Sequence, residues 1–354
     1  MLWCSSLTRA AIRRVPSLAR LESPQRRWSH VGVAFDIDGV LVRGKNVLPE
    51  AKRAIKMLDE RNIPYIFLTN GGGVPESVRS IELSKRLETK IDPLQVVLSH
   101  SPMHDLSNKY RDRPVLILGK DTCKDVALGY GFQKPFLAAE LMAWAPTMCP
   151  FTPAPTQKYS TTIDFSKEPI AAIMMFHDSW DWGRDLQIAC DVLISRGGFA
   201  GTISDPKAPQ SVPIYFSNPD FVWSNEYPVN RFAQGAFRLA LERLYQELKG
   251  VPLQYTQFGK PTEKTYRFAE AVMEEYALKA GKLAGPAKIR RKIYGIGDNP
   301  ASDIEGANRN GWHSILVRTG VWRQDLHGDD HGAVHVVDHV EDAVQLLLEQ
   351  EGLA

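Results

Sequence analysis

Four short stretches of this chain carry residue types that could do chemistry. Asp36-Ile37-Asp38-Gly39-Val40 sets two carboxylates two residues apart, where an apolar run breaks into a turn, so both can face one ligand. Gly39 lets that turn be sharp. Thr69-Asn70-Gly71-Gly72-Gly73 offers a hydroxyl and a row of backbone N–H groups, which suit a phosphate. Phe258-Gly259-Lys260-Pro261 sets a lysine just before a helical segment, where an ammonium can neutralise a phosphate or a second carboxylate. Gly297-Asp298-Asn299-Pro300-Ala301-Ser302-Asp303 adds two more carboxylates directly after an apolar run. A few hard oxygens beside a phosphate are what magnesium takes as ligands. Singly, each stretch also reads as ordinary structure: a tight turn, a glycine loop or a solvated lysine. Their joint occurrence favours the chemical reading.

Those stretches need elements to hold them. Val31-Gly32-Val33-Ala34-Phe35 is a continuous apolar run, the pattern of a strand buried on both faces of a parallel sheet. Ala51, Ala54, Ile55 and Leu58 fall on one face of a helix that starts near Pro49. Pro64-Tyr65-Ile66-Phe67-Leu68 is the next strand, completing a βαβ unit, and a helix follows over about 75–87. The alternation returns late in the chain. A helix is expected over 262–278 with Thr262 as its N-cap, a strand over 293–297, and a helix over 302–309. Strands at 313–317 and 335–337 and an amphipathic stretch at 340–350 follow. Such alternation implies a doubly wound α/β domain with a parallel sheet, which binds ligands at the carboxyl ends of its strands.

Between the two halves lies an insertion, about 100–250, with its own strands near 115–118, 171–176 and 212–215 and helices over 186–195 and 231–248. An insertion of that size reads as a second domain. The expected division is therefore a leader at 1–30, a first core segment at 31–99, an inserted domain at 100–250 and a second core segment at 251–354. Segment 145–169, rich in Pro, Thr and Ser, reads as a surface loop, as does the basic stretch 279–292.

The chain has 354 residues, 24% of them charged, with a net charge of +2, and its basic residues are dispersed. Nothing in that balance suggests nucleic acid as a partner. No run approaches the roughly 20 apolar residues of a membrane-spanning helix. The first 28 residues hold six arginines and one acid, Glu22, which is the composition of a mitochondrial transit peptide, with a cut near Trp28. Cys123, Cys149 and Cys190 are widely spaced and read as reduced thiols in a matrix-like compartment. His327, His331, His335 and His339 recur every four residues, but Gly328, Gly332 and the Val336-Val337 run argue for loop and strand, where helical metal-ligand spacing has no meaning. Trp180, Trp182, Phe221 and Trp223 in the insertion are read first as packing and second as pocket lining.

Together the four motifs resemble the haloacid dehalogenase (HAD) superfamily of phosphohydrolases: DIDGV at 36–40, TN at 69–70, the lysine of GKP at 260 and GDNPASD at 297–303, in the family's order. The resemblance spans roughly 31–345. It implies a Rossmann-like HAD core with a large α/β class C2 cap inserted between the second and third motifs. Ser217-Asn218-Pro219-Asp220 is similar to the NPD element of class IIA members, and the basic leader and TNGGG spelling resemble the mitochondrial cat-eye-syndrome-critical-region-protein-5-like branch.

The resemblance, joined to the chemistry of the residues, implies a mechanism. Asp36 attacks phosphorus and becomes an aspartyl phosphate. Asp38 protonates the leaving oxygen and later deprotonates the hydrolytic water. Mg²⁺ is held by Asp36, Asp298 and the backbone carbonyl of Asp38. Asp303 positions Lys260 or metal-bound water, Thr69, Asn70 and Gly71 hold the phosphoryl group, and Lys260 stabilises its charge. Asn218 and Asp220 meet the substrate from the cap. The implied substrate is a small phosphorylated metabolite, such as a glycerol-phosphate type compound, and the cap is an expected homodimer contact. Three glycines replace the serines or asparagines that many class IIA relatives carry after TN, so the loop is expected to be more mobile. The alternatives are transfer of the phosphoryl group to another alcohol, dehalogenation, and a silent binding or scaffold protein that kept the fold.

Overall fold

The computed structural model describes residues 30–153, 157–223, 227, 229–282, 292–322, 324, 328 and 331–354. Apart from His30, the expected leader lies outside the described residues, as do His327 and most of the basic stretch after Lys282.

From the N-terminus the strands are β1 (Val31–Phe35), a hairpin of β2 (Val42–Arg43) and β3 (Asn46–Val47), β4 (Tyr65–Leu68) and β5 (Val96–Val97). The insertion supplies β6 (Pro114–Leu118), β7 (Lys134–Leu137), β8 (Ala172–Met175), β9 (Ile214–Phe216), a second hairpin of β10 (Val222–Trp223) and β11 (Arg231–Phe232), and β12 (Tyr255–Gln257). The chain then returns with β13 (Lys292–Gly297), β14 (His313–Val317) and β15 (His335–Val337).

These strands build two larger sheets, each parallel throughout. One runs β15-β14-β13-β1-β4-β5 and the other β12-β9-β8-β6-β7. In the first, every residue of β1 and β4 is buried, as the unbroken apolar runs require. Helix Pro49–Glu60 lays Ala51, Ala54, Ile55 and Leu58 on that sheet, each leucine or isoleucine contributing about 1.5–3 kcal/mol by burial. The register aligns the strand ends. Phe35 pairs with Ile296 on one side and with Phe67 on the other, so Asp36, Thr69 and Asp298 emerge from one edge. The architecture is a Rossmann-like core with an α/β cap inserted in it.

Several elements depart from the sequence reading. Helix Glu263–Lys279 begins after Thr262, but the Thr262 hydroxyl donates to the Gly259 carbonyl at 2.7 Å instead of capping the helix. The helix expected over 302–309 is two pieces, a wide π turn at Pro300–Ile304 and a short helix at Glu305–Arg309. β7 and β5 escape the apolar-run criterion: β7 contains Pro135 and pairs only with β6, and β5 is two residues long at the sheet edge. β12, which lies past residue 250, pairs with β9 in the second sheet. Segment 145–169 forms one 3₁₀ turn at Pro146–Met148 and no strand among its described residues.

Candidate active site

Asp36 leaves the buried end of β1, its backbone N–H fixed on the Ile296 carbonyl at 2.9 Å. Lys260 follows the end of β12. Its Nζ lies 2.5 Å from Asp36 Oδ1 and 2.6 Å from Asp303 Oδ1, with all three side chains at least nine-tenths buried. Carboxylate oxygens of Asp36, Asp298 and Asp303 all fall within 4.8 Å of one another, a spacing that lets them share a metal ion.

The electrostatics of this cluster are unbalanced. Three buried carboxylates meet one ammonium, so two negative charges are left over when all are ionised. Burial raises Asp36 well above the ordinary carboxylate range; Lys260 pulls it down, but Asp303, Asp298 and Asp38 push it further up. Asp298 is pushed up to about 7 by burial and then by Asp303. Burial opposes the Lys260 charge, yet Asp303 and Asp36 more than offset that, and its pKa rises. A divalent cation would supply the missing charge. The donor set fits magnesium: hard oxygens only, at a sheet edge where phosphate can add its own.

Asp298 is also fixed mechanically. Its Oδ2 accepts from the Val321 backbone N–H at 2.7 Å. A Cβ placed on Gly320 would fall 1.8 Å from that same oxygen, and one on Gly39, whose φ is +84°, would fall 2.4 Å from it. The two glycines therefore form a slot that only the carboxylate fills. Thr319 closes the slot by donating its hydroxyl to the Gly39 carbonyl. Asp303 Oδ2 accepts from the backbone N–H groups of Asp298 and Asn299 at 3.2 and 3.0 Å, which the wide turn at Pro300–Ile304 makes possible. Sequence reasoning missed Thr319, Gly320 and Val321. The available signal was a Thr-Gly pair just past a strand of the same sheet.

Thr69 is buried, and its Oγ1 accepts from the Gly71 N–H at 3.0 Å, leaving the hydroxyl proton free to donate. Asn70 is the junction of the site. Its side-chain amide donates to Asp220 Oδ1 and Oδ2 at 3.1 and 3.2 Å and to the Lys260 carbonyl at 3.1 Å, while its Oδ1 accepts from the Lys260 N–H at 2.7 Å. Asn218 Nδ2 donates to the Asn70 carbonyl at 3.0 Å, and Asn218 Oδ1 accepts from the Asp220 N–H at 2.6 Å. The polar atoms of Asn218 and Asp220 thus clasp Asn70. Burial raises the Asp220 carboxyl to about 6, with Lys260 and Asn70 pulling the other way.

The glycines that follow are tightly packed. A Cβ on Gly72 would meet His100 and Ser99 at 2.8 Å, and one on Gly73 would meet His177 at 2.4 Å. Thr122 donates its hydroxyl to the Gly73 carbonyl. The loop expected to be looser for its glycines is instead wedged between core and cap, and glycine is there because nothing larger fits.

Asp38 keeps an exposed surface at the mouth of the site. Its carboxyl is nonetheless partly desolvated, which raises its pKa against the pull of Arg79, Lys260 and Arg86. The described histidines of the four-residue series each have a separate partner. His331 accepts from the Ala333 N–H, His335 meets Gln350, and His339 accepts from Asp342 at the start of the last helix. Of the cap aromatics, Trp182 packs on Phe237 and Phe232 and Phe221 packs on Phe232, while Trp180 and Trp223 are exposed.

Two family models match the chain: a haloacid dehalogenase-like hydrolase model over residues 33–133 and a HAD-hydrolase-like model over 257–343. The chain is 40% identical over 342 residues to a mitochondrial hydrolase of Saccharomyces cerevisiae, covering 90% of this chain and 96% of that protein. It is 39% identical to a cardiolipin synthase (CMP-forming) / mitochondrial hydrolase fusion protein of Schizosaccharomyces pombe, covering 97% of this chain and 56% of the fusion. Among solved structures it is similar to a glycerol phosphate phosphatase of Mycobacterium tuberculosis in complex with magnesium, at a TM-score of 0.59 and 17% identity, covering 90% of this chain and 78% of that one. Asp36, Asp38, Thr69 and Asn70 fall inside the first matched segment and Lys260, Asp298 and Asp303 inside the second, so the residues that meet at the sheet edge are the ones the family models span, and the chain belongs to the haloacid dehalogenase-like hydrolases.

Proposed function

We propose that this protein is a magnesium-dependent phosphatase that hydrolyses a small organic phosphomonoester through an aspartyl-phosphate intermediate. The observation that carries the reading is the buried Asp36–Lys260–Asp303 bridge with Asp298 beside it, short of two positive charges.

An Asp36 oxygen attacks phosphorus, and the bond from phosphorus to the ester oxygen breaks. Asp38, protonated at the start, gives its proton to the departing oxygen. It then takes a proton from the water that attacks the aspartyl phosphate, and cleavage of the phosphorus–Asp36 bond restores the carboxylate. Asp36, Asp298 and the backbone carbonyl of Asp38 would hold the magnesium ion, which when bound offsets the repulsion between carboxylates and phosphate. The Thr69 hydroxyl and the Asn70 N–H orient the phosphoryl oxygens, Gly71 contributes to that phosphate site by holding Thr69 Oγ1 through its N–H, and Lys260, held by Asp303, neutralises charge that builds on them. Asn218 and Asp220 fix the Asn70 end of that cradle from the cap.

We place the chain in class IIA, with a class C2 cap over about 100–250, in the cat-eye-syndrome-critical-region-protein-5-like branch. The arginine-rich leader and the mitochondrial relatives support a mitochondrial location, in the matrix. A glycerol-phosphate type metabolite suits an enclosed site of this kind, and the cap is a candidate homodimer contact.

The test is turnover of p-nitrophenyl phosphate and a phosphomonoester panel by purified protein with and without Mg²⁺. Magnesium-dependent phosphate release supports the reading. Release only when an acceptor alcohol is present indicates a phosphotransferase, and no turnover by folded protein indicates a silent scaffold.

A further inference from the structure

The second sheet delivers more to the site than Asp220 and Lys260. Its strands are parallel and in register, with Leu118 beside Met175, Met175 beside Phe216, and Phe216 beside Gln257. The carboxyl ends of β9 and β12 lead to Asn218, Asp220 and Lys260, already placed at Asn70 and Asp36. The two neighbouring ends, of β6 and β8, lead to Gly119-Lys120 and to Phe176-His177-Asp178 on the same edge.

Close backbone approaches tie these turns to the phosphate loop. A Cβ on Gly119 would lie 3.0 Å from the backbone nitrogen of His177, and one on Gly73 would lie 2.4 Å from the His177 ring. His177 therefore stands between the Lys120 turn and the loop that follows Thr69. Its Nδ1 faces the Asp178 carbonyl at 3.2 Å. Arg79 sits on helix Glu76–Leu87, one turn past Glu76, whose carboxylate accepts from Ser101 and Tyr130 beside His100 and Phe176.

Several polar groups here lack a partner. The Lys120 ammonium makes no hydrogen bond or ion pair among the described residues. Arg79 pairs through Nη1 with Glu82 at 2.8 Å, but its Nε is buried without a hydrogen bond, and so is Asp178 Oδ1. Buried polar atoms left unpaired are costly, which makes them candidates for meeting a ligand. The charges converge as well. Burial, then Lys120, and further down Arg79 pull His177 down to about 4. Two cations thus act on one neutral imidazole, which packs against the loop that follows Thr69.

We propose that Lys120 and Arg79 form a second anion subsite, so that the preferred substrate is a phosphomonoester whose alcohol carries a further negative group, a carboxylate or a second phosphoryl group. Asp178 Oδ1 accepts from a hydroxyl of the same alcohol. This rests on the phosphatase reading above and adds the class of alcohol.

The test compares glycerol 3-phosphate, 3-phosphoglycerate and glycerol 1,3-bisphosphate, with p-nitrophenyl phosphate as a leaving group that carries no anion. Wild type is expected to turn over one of the two charged substrates with kcat/KM about tenfold or more above glycerol 3-phosphate. Which of the two it is separates a carboxylate from a phosphoryl group. Lys120→Ala and Arg79→Ala should each erase that margin mainly through KM, p-nitrophenyl phosphate turnover should stay within about twofold of wild type in Lys120→Ala, and Lys120→Arg should retain part of the margin. Absence of the margin in wild type, or slowing of p-nitrophenyl phosphate by Lys120→Ala as large as that of the charged substrates, would overturn the subsite. If no substrate turns over, the phosphatase reading fails separately, and calorimetry decides the subsite. Asp36→Asn protein should bind 3-phosphoglycerate or glycerol 1,3-bisphosphate at least about tenfold more tightly than Asp36→Asn/Lys120→Ala does; equal affinities would end the proposal.

Discussion

The ammonium of Lys260 lies 2.5 Å from the carboxylate of Asp36, although 224 residues and the whole cap separate them in sequence. Closing that distance requires the cap to be folded and docked. β12 ends the second sheet two residues before Gly259, and Asn70 holds the Lys260 backbone at both its N–H and its carbonyl. The last strand of the cap sheet and the Asn70 side chain thus both position Lys260 at Asp36.

Lys260 is the positive charge that holds this cluster together among the described residues. Replacing it with Met leaves Asp36 and Asp303 buried without their cation, which should destabilise the metal-free fold by about 3–5 kcal/mol. A divalent ion then has more repulsion to relieve. Thermal unfolding should show Mg²⁺ raising the Tm of Lys260→Met more than that of wild type. Equal shifts would mean that the lysine and the ion do not act on the same carboxylates.

The glycine slot around Asp298 gives a second prediction. A methyl group on Gly320 has to displace the Asp298 carboxylate, whose oxygen stands 1.8 Å from the required position. Asp298 Cγ and Cβ lie 2.3 and 2.4 Å from the same position, so backbone has to shift along with the carboxylate and Gly320→Ala should also lower the Tm. It should need a higher Mg²⁺ concentration for half-maximal phosphatase activity, and activity should fall by about 10²-fold. A wild-type magnesium titration in this variant would show that Asp298 is not held as described.

His100 predicts a pH dependence of stability. It is fully buried on the core side of the cap, stacked on Phe176, with Nδ1 2.8 Å from the Tyr130 hydroxyl and Nε2 unpartnered. Burial lowers its pKa to about 4, with Glu76 pulling it up and His177 and Arg79 pushing it down. Because the unfolded value is near 6.5, unfolding takes up a proton below that pH. The stabilisation is complete above about pH 6.5 and is lost as pH falls toward 4, by up to about 3 kcal/mol. Denaturant titrations from pH 7 to 4 should show wild type losing more stability than His100→Gln. Parallel losses would place the acid sensitivity elsewhere.

The chemistry of the site was more legible in the sequence than its mechanics. Asp36, Thr69 and Asp298 were readable because each directly follows a strand, Lys260 because it stands shortly before a helix, and Asp303 because it shares a motif with Asp298, and the parallel register brings the strand ends to one edge. What pattern could not give was where side-chain hydrogen bonds end. Asn218 and Asp220 hold Asn70 through side-chain hydrogen bonds that no sequence pattern announces. The glycines at 72 and 73 read as freedom in isolation and act as clearance once His100 and His177 fold against them. Gly320 and Val321 carried no periodic signal, since their part is to leave room and to offer a backbone N–H. β7 was hidden for the same kind of reason, because an edge strand with a proline lacks the apolar run that marks a buried one.

The nucleophile is the most direct point of test. Asp36→Asn keeps the shape of the side chain and removes the attacking carboxylate. In the phosphomonoester assay with Mg²⁺ the account predicts a fall in kcat of about 10³-fold or more with an unchanged circular dichroism spectrum. Acid-quenched wild type, but not the variant, should carry a phosphoryl group on the peptide containing Asp36. Phosphate release at the wild-type rate by Asp36→Asn protein would contradict it.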